Sequence, residues 1–322
     1  MIWNIILVVI GFVLLIKGAD FLVKGATSIA KKFGLSEMLI GLTIVAIGTS
    51  LPEVFITITS AINGHSELIL GNAIGSCICN FLLVIGITSL VRPVKFNKRI
   101  LKRHLPIGIA VMALLLFLGN TSKLGEAHTI TRLQGFILIL VTISYIIYTI
   151  YEERKIKDKN LDSQIIEGVV SKEKSSIYTI VIYMVLGILG LKFGSDFVVD
   201  NSIIIAENLG LSEKFIGMTI VAIGTSLPEI ITGVIAARKN ESDLLLGNIT
   251  GSNILNLCLL IGLGAIISPL VFLTDFNSSV LILIIITLVL QLIANTNKDK
   301  VLERRNGIFL IIAYFVYIMF IA

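Results

Sequence analysis

Apolar side chains fill long, nearly unbroken runs along the whole chain, and short polar segments separate them. A bilayer core about 30 Å thick calls for roughly 20 helical residues per crossing. Ten runs approach that length: residues 2–29, 38–62, 68–91, 104–120, 131–151, 176–206, 214–237, 244–268, 278–296 and 306–322. They predict an all-α integral membrane protein of ten transmembrane helices. The first and sixth runs are longer than a crossing needs, which predicts tilt or interfacial ends. No basic stretch precedes the first run and no small-residue cleavage site follows it, so it reads as a retained helix rather than a secretion signal.

Polar positions inside the apolar runs repeat. Residues 41–53 read GLTIVAIGTSLPE and residues 217–229 read GMTIVAIGTSLPE, 176 positions on, with only Leu42 against Met218 changed. At the same offset Asp20 matches Asp196, Leu35-Ser36-Glu37 matches Leu211-Ser212-Glu213, and GNAIGSCICN (71–80) matches GNITGSNILN (247–256). The chain therefore divides into a five-span half at 1–151, a polar linker at 152–175, and a second half at 176–322. Five is odd, so the second half inserts upside down relative to the first. Inverted repeats with interrupted helices are the pattern of secondary transporters with a midplane site.

Composition agrees. The chain is 56% hydrophobic and 15% charged, with mean hydropathy +0.98, outside the range of soluble domains. The net charge of +5 by itself permits a nucleic-acid partner, but its placement excludes one. Twenty of the 26 Lys and Arg residues fall in the loops of one side and three in those of the other. That asymmetry predicts a cell-membrane protein with both termini outside and the 152–175 linker in the cytoplasm. The basic residues then meet anionic lipid. No obligatory protein partner is evident.

The duplicated segments carry the chemistry. An acidic residue at mid-membrane costs about 2.5–3.5 kcal/mol or more, and the chain bears that cost twice, at Glu53 and Glu229. Pro52 and Pro228 lack the amides that bond the carbonyls of Gly48 and Gly224, so helices 2 and 7 are expected to be broken. Thr49 with Glu53 and Thr225 with Glu229 share a helical face at i, i+4; Ser76 with Asn80 and Ser252 with Asn256 do the same one span later. Together these residues supply carboxylate, hydroxyl, amide and backbone oxygens, a set suited to calcium or sodium. Two ionised carboxylates are neutralised by one calcium or by two monovalent cations. A site neutral only when loaded crosses the membrane only when loaded, which is the condition for exchange rather than leak.

The paired GTSLPE segments, each followed by GN-x-x-GS-x-x-x-N, resemble the alpha repeats of sodium/calcium exchangers in the cation/calcium exchanger superfamily. The resemblance covers essentially all ten spans. It implies that Glu53 and Glu229 are shared acidic ligands, with Thr49, Ser50, Ser76 and Asn80 lining the site from one half. Thr225, Ser226, Ser252 and Asn256 line it from the other, and the carbonyls of Ala46 and Ala222 bind sodium. It further implies that the first and sixth spans slide across the other eight. Calcium and sodium are then cargo, and no cofactor is needed. Potassium-dependent relatives carry aspartate where this chain has Asn256, which disfavours potassium co-transport. Proton-coupled relatives have a somewhat different acidic motif, and the short linker has no room for calcium-sensing domains. A channel favours an oligomeric filter, and a membrane enzyme needs a nucleophile or a His–Glu metal signature; the sequence offers neither.

The remaining polar residues have plainer readings. Asp20 and Asp196 are expected to pair with Lys17, Lys24 or Lys192. His65, His104 and His128 read as surface histidines, and Cys77, Cys79 and Cys258 as small packing residues. Gly71, Gly75, Gly247 and Gly251 read as close-packing notches, and Trp3 as an interfacial anchor.

Overall fold

The computed structural model describes residues 2–124, 127–164, 176–209, 222–297 and 299–321. The apolar runs are helices: α1 (Ile2–Phe33), α2 (Glu37–Thr49), α3 (Leu51–Ile62), α4 (Ser66–Val91) and α5 (Ile100–Thr121). There follow α6 (Arg132–Gln164), α7 (Ile177–Asn208), α8 (Ala222–Thr225) and α9 (Leu227–Arg238). The last three are α10 (Ser242–Ile267), α11 (Asp275–Thr296) and α12 (Arg304–Ile321). Among the described residues seven helices are long and apolar enough to cross a membrane, and α2 with α3, bent by 48° at their junction, make an eighth. The first part of the expected seventh span, residues 210–221, lies outside the described residues.

Burial sorts these helices. The most apolar stretches of α4 and α10 are 78% and 83% buried, against 28% for α1 and for α7. The helices that carry the GN-x-x-GS segments are thus the centre of the molecule. The helices α1 and α7 lie at its edge, where Val9, Val13, Val181 and Val185 are exposed; in a bilayer these are the lipid-facing side.

α1 and α7 pack along each other over their length. A Cβ on Gly18 would sit 2.7 Å from the amide nitrogen of Leu191, and one on Gly187 would sit 2.7 Å from that of Leu22. Only glycine lets the two backbones touch there. The same device seats α2 on α10, where a Cβ on Gly247 would lie 2.6 Å from the carbonyl oxygen of Met38. Gly251 meets α2 likewise, whereas Gly71 and Gly75 meet no such wall among the described residues.

Short strands tie the loops together. β1 (Val94–Lys95) pairs with β5 (Val301–Leu302), while β3 (Ala127–Ile130) pairs with β2 (Lys123–Leu124) and with β4 (Leu270–Val271). Val94 and Leu270, 176 residues apart, open the corresponding strands of the two halves.

Two expectations change here. The helix of the fifth run does not stop at residue 151: α6 runs on to Gln164, because Glu152 and Glu153 are buried and paired rather than solvated. Glu153 accepts from the amide (2.6 Å) and hydroxyl (2.9 Å) of Ser36 and pairs with Arg99 at 3.0 Å. Glu152 pairs with Arg103. His104 is not a surface histidine. It is fully buried, with Nδ1 3.1 Å from the Tyr145 hydroxyl and Nε2 3.6 Å from Glu152. The other two expectations about polar residues fare differently: His65 is exposed, and Asp20 does pair with Lys24 at 2.8 Å but also with Lys239 at 2.7 Å.

Candidate cation site

The two duplicated segments break their helices in one way. Ser50, between α2 and α3, has φ −85° and ψ 8°. Ser226, between α8 and α9, has φ −91° and ψ 5°. Both sit in the bridge region of backbone space. Pro52 and Pro228 follow in the first turns of α3 and α9, where a missing amide costs no helical bond. Glu53 and Glu229 then fall in those same first turns. There the positive end of the helix dipole favours a carboxylate and offsets part of its burial cost.

Both carboxylates are 1% exposed. Ser50 donates to Glu229 Oε1 at 3.5 Å, and the hydroxyls of Thr49 and Ser252 also lie within reach of that carboxylate. Thr49 sits 3.5 Å from Ser252 across the interface between the halves. Asn80 and Asn256, on the two central helices, are both buried. Each opens a π-helical turn, Asn80–Val84 in α4 and Asn256–Leu260 in α10. A π turn widens the helix by one residue and is common at functional positions.

Unpartnered buried atoms collect here. Both oxygens of Glu53, Oε2 of Glu229, Oδ1 of Asn80, both amide atoms of Asn256 and the hydroxyl of Ser226 have no hydrogen-bond partner among the described residues. Buried polar groups are ordinarily satisfied, so this cluster of bare polar atoms around two acids is the candidate receptor for a cation. Among the described residues no group of three or more His, Cys, Asp or Glu side chains could hold a metal ion. A cation placed here would meet two carboxylates and neutral oxygens, a set that suits hard ions.

The other expected ligands are placed as follows. Ser76 is buried one turn before Asn80. The carbonyl of Ala46 accepts from the amide of Ser50 (3.1 Å) and the hydroxyl of Thr49 (3.4 Å). Ala222 and Thr225 open and close α8. The carbonyl of Gly224, which Pro228 leaves without its helical amide, accepts from Ser195 of α7 at 3.0 Å.

Two residues escaped the sequence reading. Asn248 Oδ1 accepts from Thr49 at 3.1 Å, and Asn253 Oδ1 accepts from Asn80 Nδ2 at 2.9 Å. Both lie inside the duplicated GNITGSNILN segment. Asn248 has its counterpart in Asn72, a signal that duplication made available; Asn253 stands opposite Cys77 and carried none.

The family model of the sodium/calcium exchanger protein matches residues 3–151 and 179–322. The sodium/calcium exchanger MaX1 of Methanosarcina acetivorans is 32% identical over 323 aligned positions, covering 89% of each chain. The inner membrane protein YrbG of Escherichia coli is 31% identical over 262 residues, covering 80% of this chain and 79% of its own. A solved structure of the sodium-calcium exchanger NCX_Mj superposes with a TM-score of 0.83 at 29% identity, covering 100% of this chain and 99% of that one. The chain is a multi-pass membrane protein and belongs to the sodium/calcium exchanger protein family.

Proposed function

We propose that this protein is a secondary antiporter that exchanges calcium for sodium by alternating access at a midplane site. The observation that carries this reading is the pairing of Glu53 and Glu229, one from each half, buried together with three of their four oxygens unpartnered. Two ionised carboxylates in a dry interior are too costly to reorient empty. One calcium or two sodium ions cancel the charge, so movement is coupled to load. MaX1 and NCX_Mj are named as sodium/calcium exchangers, which supports sodium as counter-ion; relatives of this kind are transporters, not enzymes.

In this reading Thr49, Ser50, Ser76 and Asn80 line the path from the first half and Thr225, Ser226, Ser252 and Asn256 from the second. The carbonyls of Ala46 and Ala222 serve sodium. The chain makes ten crossings as two inverted sets of five, with helices 2 and 7 broken, both termini outside and the linker cytoplasmic. The edge helices α1 and α7, touching through glycine, are the elements that slide. Moving one net charge across the membrane is worth about 2.3 kcal/mol per 100 mV, so unequal exchange responds to voltage.

The test is calcium uptake into proteoliposomes loaded with sodium, potassium or a proton gradient, each imposed alone. Uptake that needs and scales with opposing sodium is expected. Uptake driven only by protons or potassium reassigns the counter-ion, and uptake indifferent to every gradient makes the protein a channel.

A further inference from the structure

The two halves present their asparagines unequally, and a residue outside the expected ligand set is the cause. Asn253 lies on α10, is 2% exposed, and sits beside the pseudosymmetric position Cys77. Its Nδ2 donates to the carbonyl oxygen of Cys77 at 3.3 Å. Its Oδ1 accepts from Asn80 Nδ2 at 2.9 Å.

That chain of bonds admits one sense only. A backbone carbonyl can accept but never donate, so the nitrogen of Asn253 must be the end that faces Cys77. Its oxygen is then the end that faces Asn80, and an oxygen there demands the nitrogen of Asn80. The Asn80 oxygen is left buried and without a protein partner. Thus the orientation of the Asn80 amide is fixed by the network itself, through a carbonyl that has no alternative.

The second half has no such arrangement. At the position equivalent to Asn253 stands Cys77, whose thiol contacts the Asn253 carbonyl at 3.5 Å. Among the described residues neither amide atom of Asn256 has a partner, and none of them holds its oxygen rather than its nitrogen toward a cation.

We infer that Asn253 is a positioning residue for calcium: it locks the Asn80 amide with oxygen toward the cargo, making Asn80 a preset ligand and Asn256 an adjustable one. This rests on the exchanger reading above. Cation sites lose affinity when the groups that orient their ligands are removed, by roughly 10–100-fold, since an amide free to turn presents its N–H groups to the ion.

The test is sodium-driven calcium uptake by Asn253→Leu, which keeps the branched shape and removes both hydrogen-bonding atoms. The KM for calcium is expected to rise roughly 10–100-fold, while the maximal rate per correctly inserted protein holds. Asn253→Cys, assayed under reducing conditions, places the residue that the first half carries at this position; it should raise KM likewise and guards against a Leu variant that fails to fold. Cys77→Ala, which removes the thiol but keeps the backbone carbonyl that Asn253 bonds, should leave KM at the wild-type value. A wild type that takes up no calcium overturns the exchanger reading and this role with it. A wild type that exchanges normally, while both Asn253 variants keep its KM or Cys77→Ala shares their defect, overturns the orienting role alone.

Discussion

The first and second halves share a thirteen-residue segment almost letter for letter, yet its two acids live in different company. Glu229 has Ser50 on one oxygen, with Thr49 and Ser252 close by. Glu53 has no donor on either oxygen. The contrast extends outward. Ser195 of α7 donates to the broken helix of its own half, but the equivalent residue in α1 is Ala19. Asp20 of α1 is bridged to Lys239 beyond α9, whereas Asp196 of α7 pairs with Lys192 on its own helix. Duplication supplies a symmetric frame, and substitutions around it assign unequal work to matching residues. In the proposed reading one ion is held by both halves at once, so the site as a whole can tolerate this inequality.

The comparison is broken most severely at the acids. Glu53→Gln and Glu229→Gln are each expected to lower sodium-driven calcium uptake by more than about 100-fold, since removing one charge forfeits at least 3 kcal/mol or so of cation binding. Their stabilities should diverge. Neutralising the undonated Glu53 is expected to raise the melting temperature in detergent by about 2–4 °C. Neutralising Glu229 gains less, because its charge-assisted bonds are lost along with the burial cost. Equal shifts in the two variants remove the asymmetry argued here.

Next in size is Ser195. Ser195→Ala deletes one buried bond to the Gly224 carbonyl and should cost about 1 kcal/mol, read as a fall in melting temperature of about 2–4 °C. Nothing comparable is lost at Ala19, so adding a hydroxyl there by Ala19→Ser should bring no matching gain.

The smallest effect belongs to the ion pairs. Asp20 and Lys239 are about one-third exposed, so their bridge is worth less than about 1 kcal/mol. Lys239→Ala should change the ratio of sodium affinities measured from the two membrane faces by about 2–5-fold, because the bridge joins to the rest a helix that is proposed to slide. Asp196→Asn removes only a pair within one helix, and the ratio should stay within about twofold. A larger change from Asp196→Asn than from Lys239→Ala reverses the assignment.

Much of this was legible in the sequence because membrane helices are written in long apolar words. Nine of the ten runs lie on helices with both ends described, and eight of these end within about four residues of expectation, α6 being the exception. The duplicated Glu and Pro stood out against hydrocarbon for the same reason. What stayed hidden depends on partners distant in sequence. His104 looked like a span-edge residue because its partners Tyr145 and Glu152 come from α6. Lys239 could not be matched to Asp20 across 219 positions. Asn253 was silent because its twin is a cysteine, and repetition was the signal being followed.

The π turns at Asn80–Val84 and Asn256–Leu260 carry a historical consequence. Each is an extra residue lodged in a helix, and both lodge at the same register, 176 positions apart. Two independent insertions have little reason to choose the same spot, so the ancestral single copy already contained the kink before it was doubled. On the proposed reading of two inverted halves, the ancestor paired with a second molecule facing the other way to bring two such acids together, and the fused chain keeps that old partnership inside one polypeptide.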